Sequence, residues 1–278
     1  MLKSAFAAVA LLAATPALAQ ATGDQLPDPN DNSDTYTIAG GAAWIPDYEG
    51  SDDYRIIPAL AVRGRVSGIS FFTRSTYLYV DFVGRGDNAL ELDVGPIVGA
   101  RFNRTGHIHD DFVDALPDRD TAIEVGGFVG FTYHGLTNPY DALSFRLDVV
   151  KDVAGAHKST IFTPTIDFGT PLSRTTYVGL SLSAEWAGGK YADYYYSITP
   201  ADSIASGLPV FDADGGFKNW RLGLLLNQSV SGDLTHGVSI FATGAYSHLN
   251  GDFKDSPIVD LRGSASQWLG AIGLAYTW

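Results

Sequence analysis

Cysteine is absent from the 278-residue chain, and methionine occurs once. The chain therefore has no disulfide framework, no thiolate metal site, no cysteine nucleophile and no lipid-anchored N-terminal cysteine. Charged residues are also scarce, at 18% against roughly 25% for a soluble globular domain. The 18 basic residues are outnumbered by 31 acidic ones, and a net charge of −13 argues against a nucleic-acid partner, which would need a basic face.

A long hydrophobic run is missing as well. The longest conspicuous apolar run, residues 5–14, is too short for a membrane-spanning helix, which needs about 20 residues. Lys3 precedes this run, and the small-residue pattern Ala-Leu-Ala that ends at Ala19 follows it. This arrangement is typical of a secretory signal peptide cleaved after Ala19, so the sequence predicts an exported protein of a bacterial envelope.

The expected processing divides the chain into three parts. Residues 1–19 form the signal peptide, and residues 20–35, which are polar and rich in Asp, Asn and Pro, form a flexible periplasmic lead-in. The remaining residues, 36–278, form the folded domain. Without Lys3 the mature chain carries 17 basic and 31 acidic residues.

The folded domain is dominated by side chains that alternate between apolar and polar. Residues 90–103, 142–152, 176–186 and 220–229 all repeat with a period of two, the period of a β-strand rather than a helix. A soluble sheet with one wet face also fits this pattern. The continuous apolar face, the Gly- and charge-rich opposite face, and aromatic residues at strand ends favour a transmembrane barrel in the outer membrane.

The last strand ends on an aromatic residue. Leu274, Tyr276 and Trp278 share one face of this strand, and we interpret them as an insertion signal for the barrel-insertion machinery. The other expected contacts of such a protein are outer-membrane lipid and lipopolysaccharide. An all-β, antiparallel, up-and-down barrel is the predicted fold.

Parity decides the strand count, because a closed barrel with both termini in the periplasm needs an even number of strands. Read backwards from Trp278, the segments give twelve strands if residues 68–83 are split at Arg74-Ser75, and ten is the fallback. The predicted strands are 36–45, 55–64, 68–73, 76–83, 88–103, 121–133, 142–152, 158–170, 175–187, 219–229, 235–249 and 267–278.

Connection lengths support this parity, since periplasmic turns are short and outer loops are long in such barrels. The four longer outer connections contain 16 acidic and 6 basic residues, so the negative charge is concentrated on one rim. These connections are 46–54, 104–120, 188–218 and 250–266.

Eight charged residues are predicted to face the lumen, and they carry both signs. They are Glu91, Asp93, Arg101, Glu124, Arg146, Asp148, Glu185 and Arg221. The simpler interpretation is a lumen braced by ion pairs and water; the alternative is a narrow selective pore. A wide channel is not expected, because porins use roughly 16–18 strands.

Three outer segments carry residue types used in catalysis or metal binding. In loop 104–120, His107 and His109 precede a run of aspartates, but no nucleophile stands in a recognisable setting, so we predict a solvated loop rather than a hydrolase site. The acidic stretches 47–53 and 212–216 do not match a calcium loop. Loose bridging of Ca²⁺ or Mg²⁺ to anionic lipopolysaccharide stays open. With no P-loop, dinucleotide fingerprint or HExxH, we expect no catalytic residue, metal or cofactor.

Three stretches together resemble the MltA-interacting protein (MipA)/OmpV family of outer-membrane proteins. They are WIPDYEGSDDYRIIP at 44–58, YYYSITPADSIASGLPVFDADGGFKN at 194–219, and GDFKDSPIVDLRGSASQWLGAIGLAYTW at 251–278. The terminal Trp278 stands where Phe is commoner in the family, and loop 104–120 carries no family motif. The resemblance covers residues 36–278.

The resemblance implies a non-enzymatic scaffold that ties a lytic transglycosylase to a murein synthase. Short periplasmic turns offer little area for such an interface, which needs about 800 Å² per partner. Two rival functions therefore remain: a surface adhesin or ligand-binding barrel with long acidic loops, and a narrow solute channel. An enzyme at the outer rim ranks last.

Overall fold

A computed structural model describes residues 33–83 and 89–278 of the chain. The predicted signal peptide, residues 20–32 of the lead-in and the whole of the predicted turn at 84–87 fall outside these ranges. Within them, twelve antiparallel strands close into a barrel in which each strand pairs with its neighbours in sequence, and β12 pairs with β1. The predicted closed, antiparallel barrel of twelve strands is confirmed. No helix in the described ranges is both long and apolar enough to cross a membrane.

The strand bounds lie close to the predicted ones. The strands are β1 Thr35–Pro46, β2 Tyr54–Val66, β3 Ile69–Arg74, β4 Tyr77–Asp81, β5 Leu90–Arg101, β6 Ala122–His134, β7 Ala142–Asp152, β8 Thr160–Pro171, β9 Thr176–Ala187, β10 Gly216–Ser229, β11 Gly237–Leu249 and β12 Ser266–Thr277. The largest difference is in β10, which begins at Gly216 instead of 219, where a β-bulge shifts its register against β9.

The ambiguous stretch 68–83 is a short hairpin, β3 and β4. Ser67 and Gly68 both have positive φ, 50° and 85°, which is the backbone that a tight two-residue hairpin turn requires. β3 then pairs with only the last four residues of β2, from Val66 back to Arg63. A second turn after Arg74, as predicted from the sequence, starts β4.

Alternation places the apolar side chains on the lipid face, as expected. Leu90, Leu92 and Val98 of β5 are exposed there, whereas Glu91 and Asp93 face inward. On β12 the predicted insertion-signal residues Leu274, Tyr276 and Trp278 share the outer face. Their role in insertion stays a prediction.

Three of the outer connections fold into short helices instead of remaining extended. The helices are α1 Asp111–Asp114, α2 Gly189–Tyr196, α3 Pro200–Ser206, α4 Asp252–Asp255 and α5 Pro257–Asp260. Local sequence explains α3 well: Thr199 and Asp202 form a capping box, Pro200 is the first helical residue, and Gly207 ends the helix at φ 75°.

These helices and the loop 46–53 form one packed body over the outer mouth, which we name the outer cap. Its core is aromatic: Tyr191, Tyr195 and Tyr196 are fully buried, and Phe253 is 1% exposed. The prediction that loop 104–120 is simply solvated is therefore wrong in part. Ile108, Val113 and Leu116 are buried in the cap because their apolar side chains fall on its inner side, although His107 and His109 remain exposed.

Candidate functional site

The lumen has two unlike walls. The inward side chains of β3–β9 carry most of the lumen charges, and we name this surface the braced wall. The inward side chains of β1, β11, β12 and the part of β10 from Arg221 onwards are nearly uncharged, and we name them the smooth wall. The two walls face the same enclosed space, so their contrast defines the candidate site.

Glu49 joins the outer cap to the lumen. Its carboxylate receives hydrogen bonds from the Tyr191 hydroxyl at 2.7 Å and the Tyr196 hydroxyl at 3.1 Å. Two cations complete the set: the Arg101 guanidinium at 2.9 Å and the Lys218 ammonium at 3.0 Å. One side chain thus links the first outer loop, α2, β5 and β10.

These contacts set the ionisation of Glu49. Burial alone raises the pKa of this carboxyl, but Lys218 and Arg101 act in the opposite direction and hold its pKa well below the usual range. The hydrogen bonds from the tyrosine hydroxyl of Tyr191 and from Lys218 act in the same direction as the two cations. Glu49 is therefore a permanent anion at neutral pH, and the cap is fastened by charge.

A second carboxylate lies directly beneath, on β6. Glu124 is fully buried and accepts hydrogen bonds from Arg101 Nε at 2.8 Å, His157 Nε2 at 2.9 Å and the Tyr77 hydroxyl at 2.7 Å. Glu185 on β9 lies 3.6 Å from Arg101. Three carboxylates therefore share two cations, Arg101 and the lysine that also binds Glu49.

The middle of the braced wall holds a separate cluster. Arg146 Nε donates to Asp148 at 2.6 Å, and Arg74 binds Asp167 through both terminal nitrogens at 3.2 and 2.6 Å. The Tyr79 hydroxyl donates to Asp148 at 2.9 Å, and the Arg146 guanidinium stacks over the Tyr79 ring. These contacts tie β3, β4, β7 and β8 together across the lumen.

An acidic cluster lies near the periplasmic end. Carboxylate oxygens of Asp81, Glu91 and Asp93 lie within 4.8 Å of one another, which is the kind of donor set that a hard divalent cation prefers. His134 Nε2 is 2.8 Å from Glu91, and the Thr132 hydroxyl donates to Asp93 at 2.7 Å. Each of the three acids therefore already has protein partners, since Asp81 accepts two backbone N–H bonds.

Arg221 is the exception among the eight predicted lumen charges. The other seven all bind a charged or polar side chain, and the structure brings Arg101, Glu124 and Glu185 into one network. Within residues 33–83 and 89–278, Arg221 has neither a hydrogen-bond acceptor nor a carboxylate for its guanidinium, and its Nε is buried without a partner. It stands at the top of the smooth wall.

Sequence reasoning missed several members of this lumen network. They are Glu49, Arg74, Tyr77, Tyr79, His157, Asp167, Tyr191 and Lys218. Arg74 and Asp167 carried a usable signal, because both lie on the polar face of alternating segments. Glu49, His157 and Tyr191 carried none, since their loops turn back into the barrel and alternation says nothing about loops.

The histidines of loop 104–120 make structural contacts. His107 Nδ1 is 3.2 Å from Asp114, and His109 Nδ1 is 3.0 Å from Asp47. Asp110 caps α1 and pairs with Arg262 at 2.6 Å. A backbone hydrogen bond from Ile108 lowers the pKa of Asp114, the effect being larger than that of the neighbouring His107. The aspartates are thus engaged in holding the cap together.

Solved structures similar to this chain are outer-membrane barrels. An outer-membrane channel from Pseudomonas putida F1 is 11% identical with a TM-score of 0.46, covering 92% of this chain and 99% of that one. A FadL homologue from Pseudomonas aeruginosa is 11% identical with a TM-score of 0.37, covering 90% of this chain and 91% of that one. A search of curated proteins gives no match.

The family comparison covers nearly all of the barrel. The model of the family described as MltA-interacting protein MipA matches residues 38–278, which run from β1 through the last residue of the chain. The matched range includes the loop with Glu49, the whole lumen and the outer cap. The chain therefore belongs to the MltA-interacting protein MipA family, and it is a β-barrel of the outer membrane.

Proposed function

We propose that this barrel is a non-enzymatic interaction protein that anchors murein-remodelling enzymes to the outer membrane from its periplasmic end. The family description, MltA-interacting protein, supports a partner of the lytic transglycosylase class. A murein synthase is the second partner in this proposal. The single observation that carries the proposal is the closed outer mouth.

The outer cap disfavours transport as the main role. Its packed aromatic core lies across the outer mouth, and Glu49 fastens it to cations of β5 and β10. Opening this mouth would expose Tyr191 and Tyr196 and break at least two charge-assisted hydrogen bonds, each contributing about 1.5–3 kcal/mol. With the outer mouth covered, the periplasmic end is the other surface at which the barrel can act.

Three neighbouring periplasmic turns offer anchors for a partner. Leu136, Leu172 and Val230 lie in the turns after β6, β8 and β10, and their exposed fractions are 52%, 47% and 56%. These hairpins follow one another around the barrel, so the three exposed side chains lie along one side of its periplasmic rim. Full burial of one such leucine or valine against a partner contributes about 1.5–3 kcal/mol.

Photo-crosslinking in intact cells tests the proposal. A benzoylphenylalanine placed at Leu136, Leu172 or Val230 should capture a lytic transglycosylase and a murein synthase, identified by mass spectrometry. The matched control is the same group at Ile204, which is 87% exposed on α3 of the outer cap. Capture of lipid alone by all three turn positions, or of these enzymes equally from Ile204, would contradict the proposal.

A surface adhesin or ligand-binding barrel is the second candidate. Ile204 and Val210 are large apolar residues exposed on the outer cap, on a rim rich in acidic residues. A partner captured only by the Ile204 crosslinker would support this function instead. A narrow channel would show discrete conductance steps in planar bilayers, which the closed cap does not favour.

A further inference from the structure

Arg221 marks a place in the lumen that the braced network does not explain. Its ladder neighbours are Ser183 on β9 and Ser247 on β11, neither of which carries a charge. In the part of the chain that the structure describes, no anion reaches its guanidinium. An unpaired cation inside a barrel is costly unless it meets an anion or water, so this position favours a negatively charged ligand.

The smooth wall below Arg221 is both uncharged and accessible. Leu225 faces inward and is still 37% exposed, and Thr243, its ladder partner on β11, is exposed as well. Thr243 pairs in turn with Ala271 on β12, and Ala271 pairs with Ala43 on β1; both alanines are partly exposed. These four residues form a continuous surface across four strands, which we name the smooth crevice.

We propose that the smooth crevice binds a small organic monoanion, a carboxylate with an apolar body, and that Arg221 pairs with the carboxylate. A guanidinium offers two parallel N–H donors that match a carboxylate. One guanidinium balances one negative charge, whereas a dianion would leave excess charge beside an uncharged wall. The apolar body would lie on Leu225 and Ala271.

Access comes from the periplasm, because the outer cap covers the other end. The inward residue Ala61 and the exposed Arg63 of β2 continue the open surface toward the periplasmic mouth. Arg221 itself is not needed to balance the network above it. Lys218 and Arg101 already pair with Glu49, so substitution of Arg221 leaves no buried carboxylate unpaired.

Binding of 2-naphthoate to the barrel in lipid nanodiscs tests the site, with empty discs subtracted. The neutral amide of the same shape, 2-naphthamide, isolates the contribution of charge. We expect the wild-type barrel to bind the acid more tightly than the amide on the order of 10- to 100-fold, the range of a hydrogen-bonded charge pair. Arg221→Gln should abolish this preference, and Arg221→Lys should keep part of it.

Two further variants serve as controls. Lys190→Gln removes an exposed charge on α2 of the cap and should leave the preference unchanged. Leu225→Trp fills the crevice while keeping Arg221, so it should weaken binding of both the acid and the amide. Heat-modifiable mobility in gels shows whether each variant is folded.

The outcomes separate cleanly. Equal binding of acid and amide by the wild type, or no saturable binding of either, would overturn the proposal. A preference for the acid that survives in folded Arg221→Gln would also overturn it. If Arg221→Gln does not fold, Leu225→Trp provides the test, because wild-type affinity of that variant for both compounds would overturn the proposal. None of these results bears on the crosslinking experiment, so the ligand site and the scaffold role fail independently.

Discussion

The braced wall and the smooth wall line one lumen but are built on different principles. The braced wall holds its strands together through ion pairs such as Arg146–Asp148, whereas the smooth wall packs small side chains such as Ala271 and Gly273. Every strand of both walls is paired on both sides, although β3 and β4 of the braced wall pair over only three to five residues, so the barrel is closed along both walls. The difference therefore lies in the side chains, and it concerns specificity and ligand access more than closure.

At one position of the smooth wall, Gly273, steric contacts explain why the residue is small. A side chain at Gly273 would meet the Gly40 carbonyl oxygen and the ring of Phe241. On the braced wall the volume is filled instead by long charged and aromatic side chains. One wall thus leaves space in the lumen and the other occupies it.

The largest effect is expected from breaking the braced wall at Glu124. Glu124→Ala removes the shared partner of Arg101, His157 and Tyr77, and loss of one member of a buried ion pair costs about 3–5 kcal/mol. Denaturant unfolding of the detergent-solubilised barrel measures this loss in the free energy of unfolding. Ser247→Ala, at a buried inward residue of the smooth wall that has no charged partner, is the control and should cost no more than about 1 kcal/mol. Similar losses in the free energy of unfolding in both variants would mean that the two walls do not differ in how they stabilise the barrel.

The next effect separates the lumen from the lipid face. Leu224 and Leu180 are ladder partners on the lipid side of β10 and β9, and Leu224 is 43% exposed there. Leu224→Arg should cost about 2–4 kcal/mol near the bilayer midplane. Ser181→Arg, on the lumen side of β9, should show no such depth-dependent penalty. Refolding titrations into lipid vesicles compare the two, and equal penalties would mean that the faces are assigned incorrectly.

The alternation of apolar and polar residues predicts the inward-facing side chains of the two walls, but it does not predict the structure of the outer cap. Inward placement of Arg101, Glu124 and Arg146 follows from the period of two, which any strand with one lipid-facing side must obey. Glu49 and Tyr191 are brought in by loops, whose path depends on burial of aromatic side chains rather than on a repeating pattern. The lack of a charged partner for Arg221 could not be predicted either, because alternation shows which charged side chains face inward but not which of them form ion pairs.

A smaller effect is expected where the cap meets the braced wall. Glu49→Gln keeps the shape of the side chain but weakens its bonds to Arg101, Lys218 and two tyrosine hydroxyls, a change of about 1.5–3 kcal/mol. The cap should then open more often. Limited proteolysis of the outer loops in intact cells should become faster, while Lys190→Gln, on the exposed side of α2, should leave the rate unchanged.

Acid should imitate this substitution in the wild type. Because the pKa of Glu49 is lowered in the folded barrel, its contribution to stability is complete above the unfolded value of about 4.3. It is lost progressively as the pH falls from there toward the depressed folded pKa. Cap proteolysis by an acid protease should accelerate below about pH 4 in the wild type and less so in Glu49→Gln. A cap that loosens between pH 6 and 8 would indicate a different titrating group.

The smallest effect is expected on the smooth wall itself. Ala271→Ser adds one hydroxyl to an inward position that is partly exposed to the lumen, so the new group can be solvated. The free energy of unfolding should change by no more than about 0.5 kcal/mol. A loss of about 2 kcal/mol or more, as expected when atoms are added to a well-packed site, would mean that this wall is packed against another element. In that case no open crevice lies below Arg221. The same variant should keep the preference for 2-naphthoate, because the carboxylate partner is untouched.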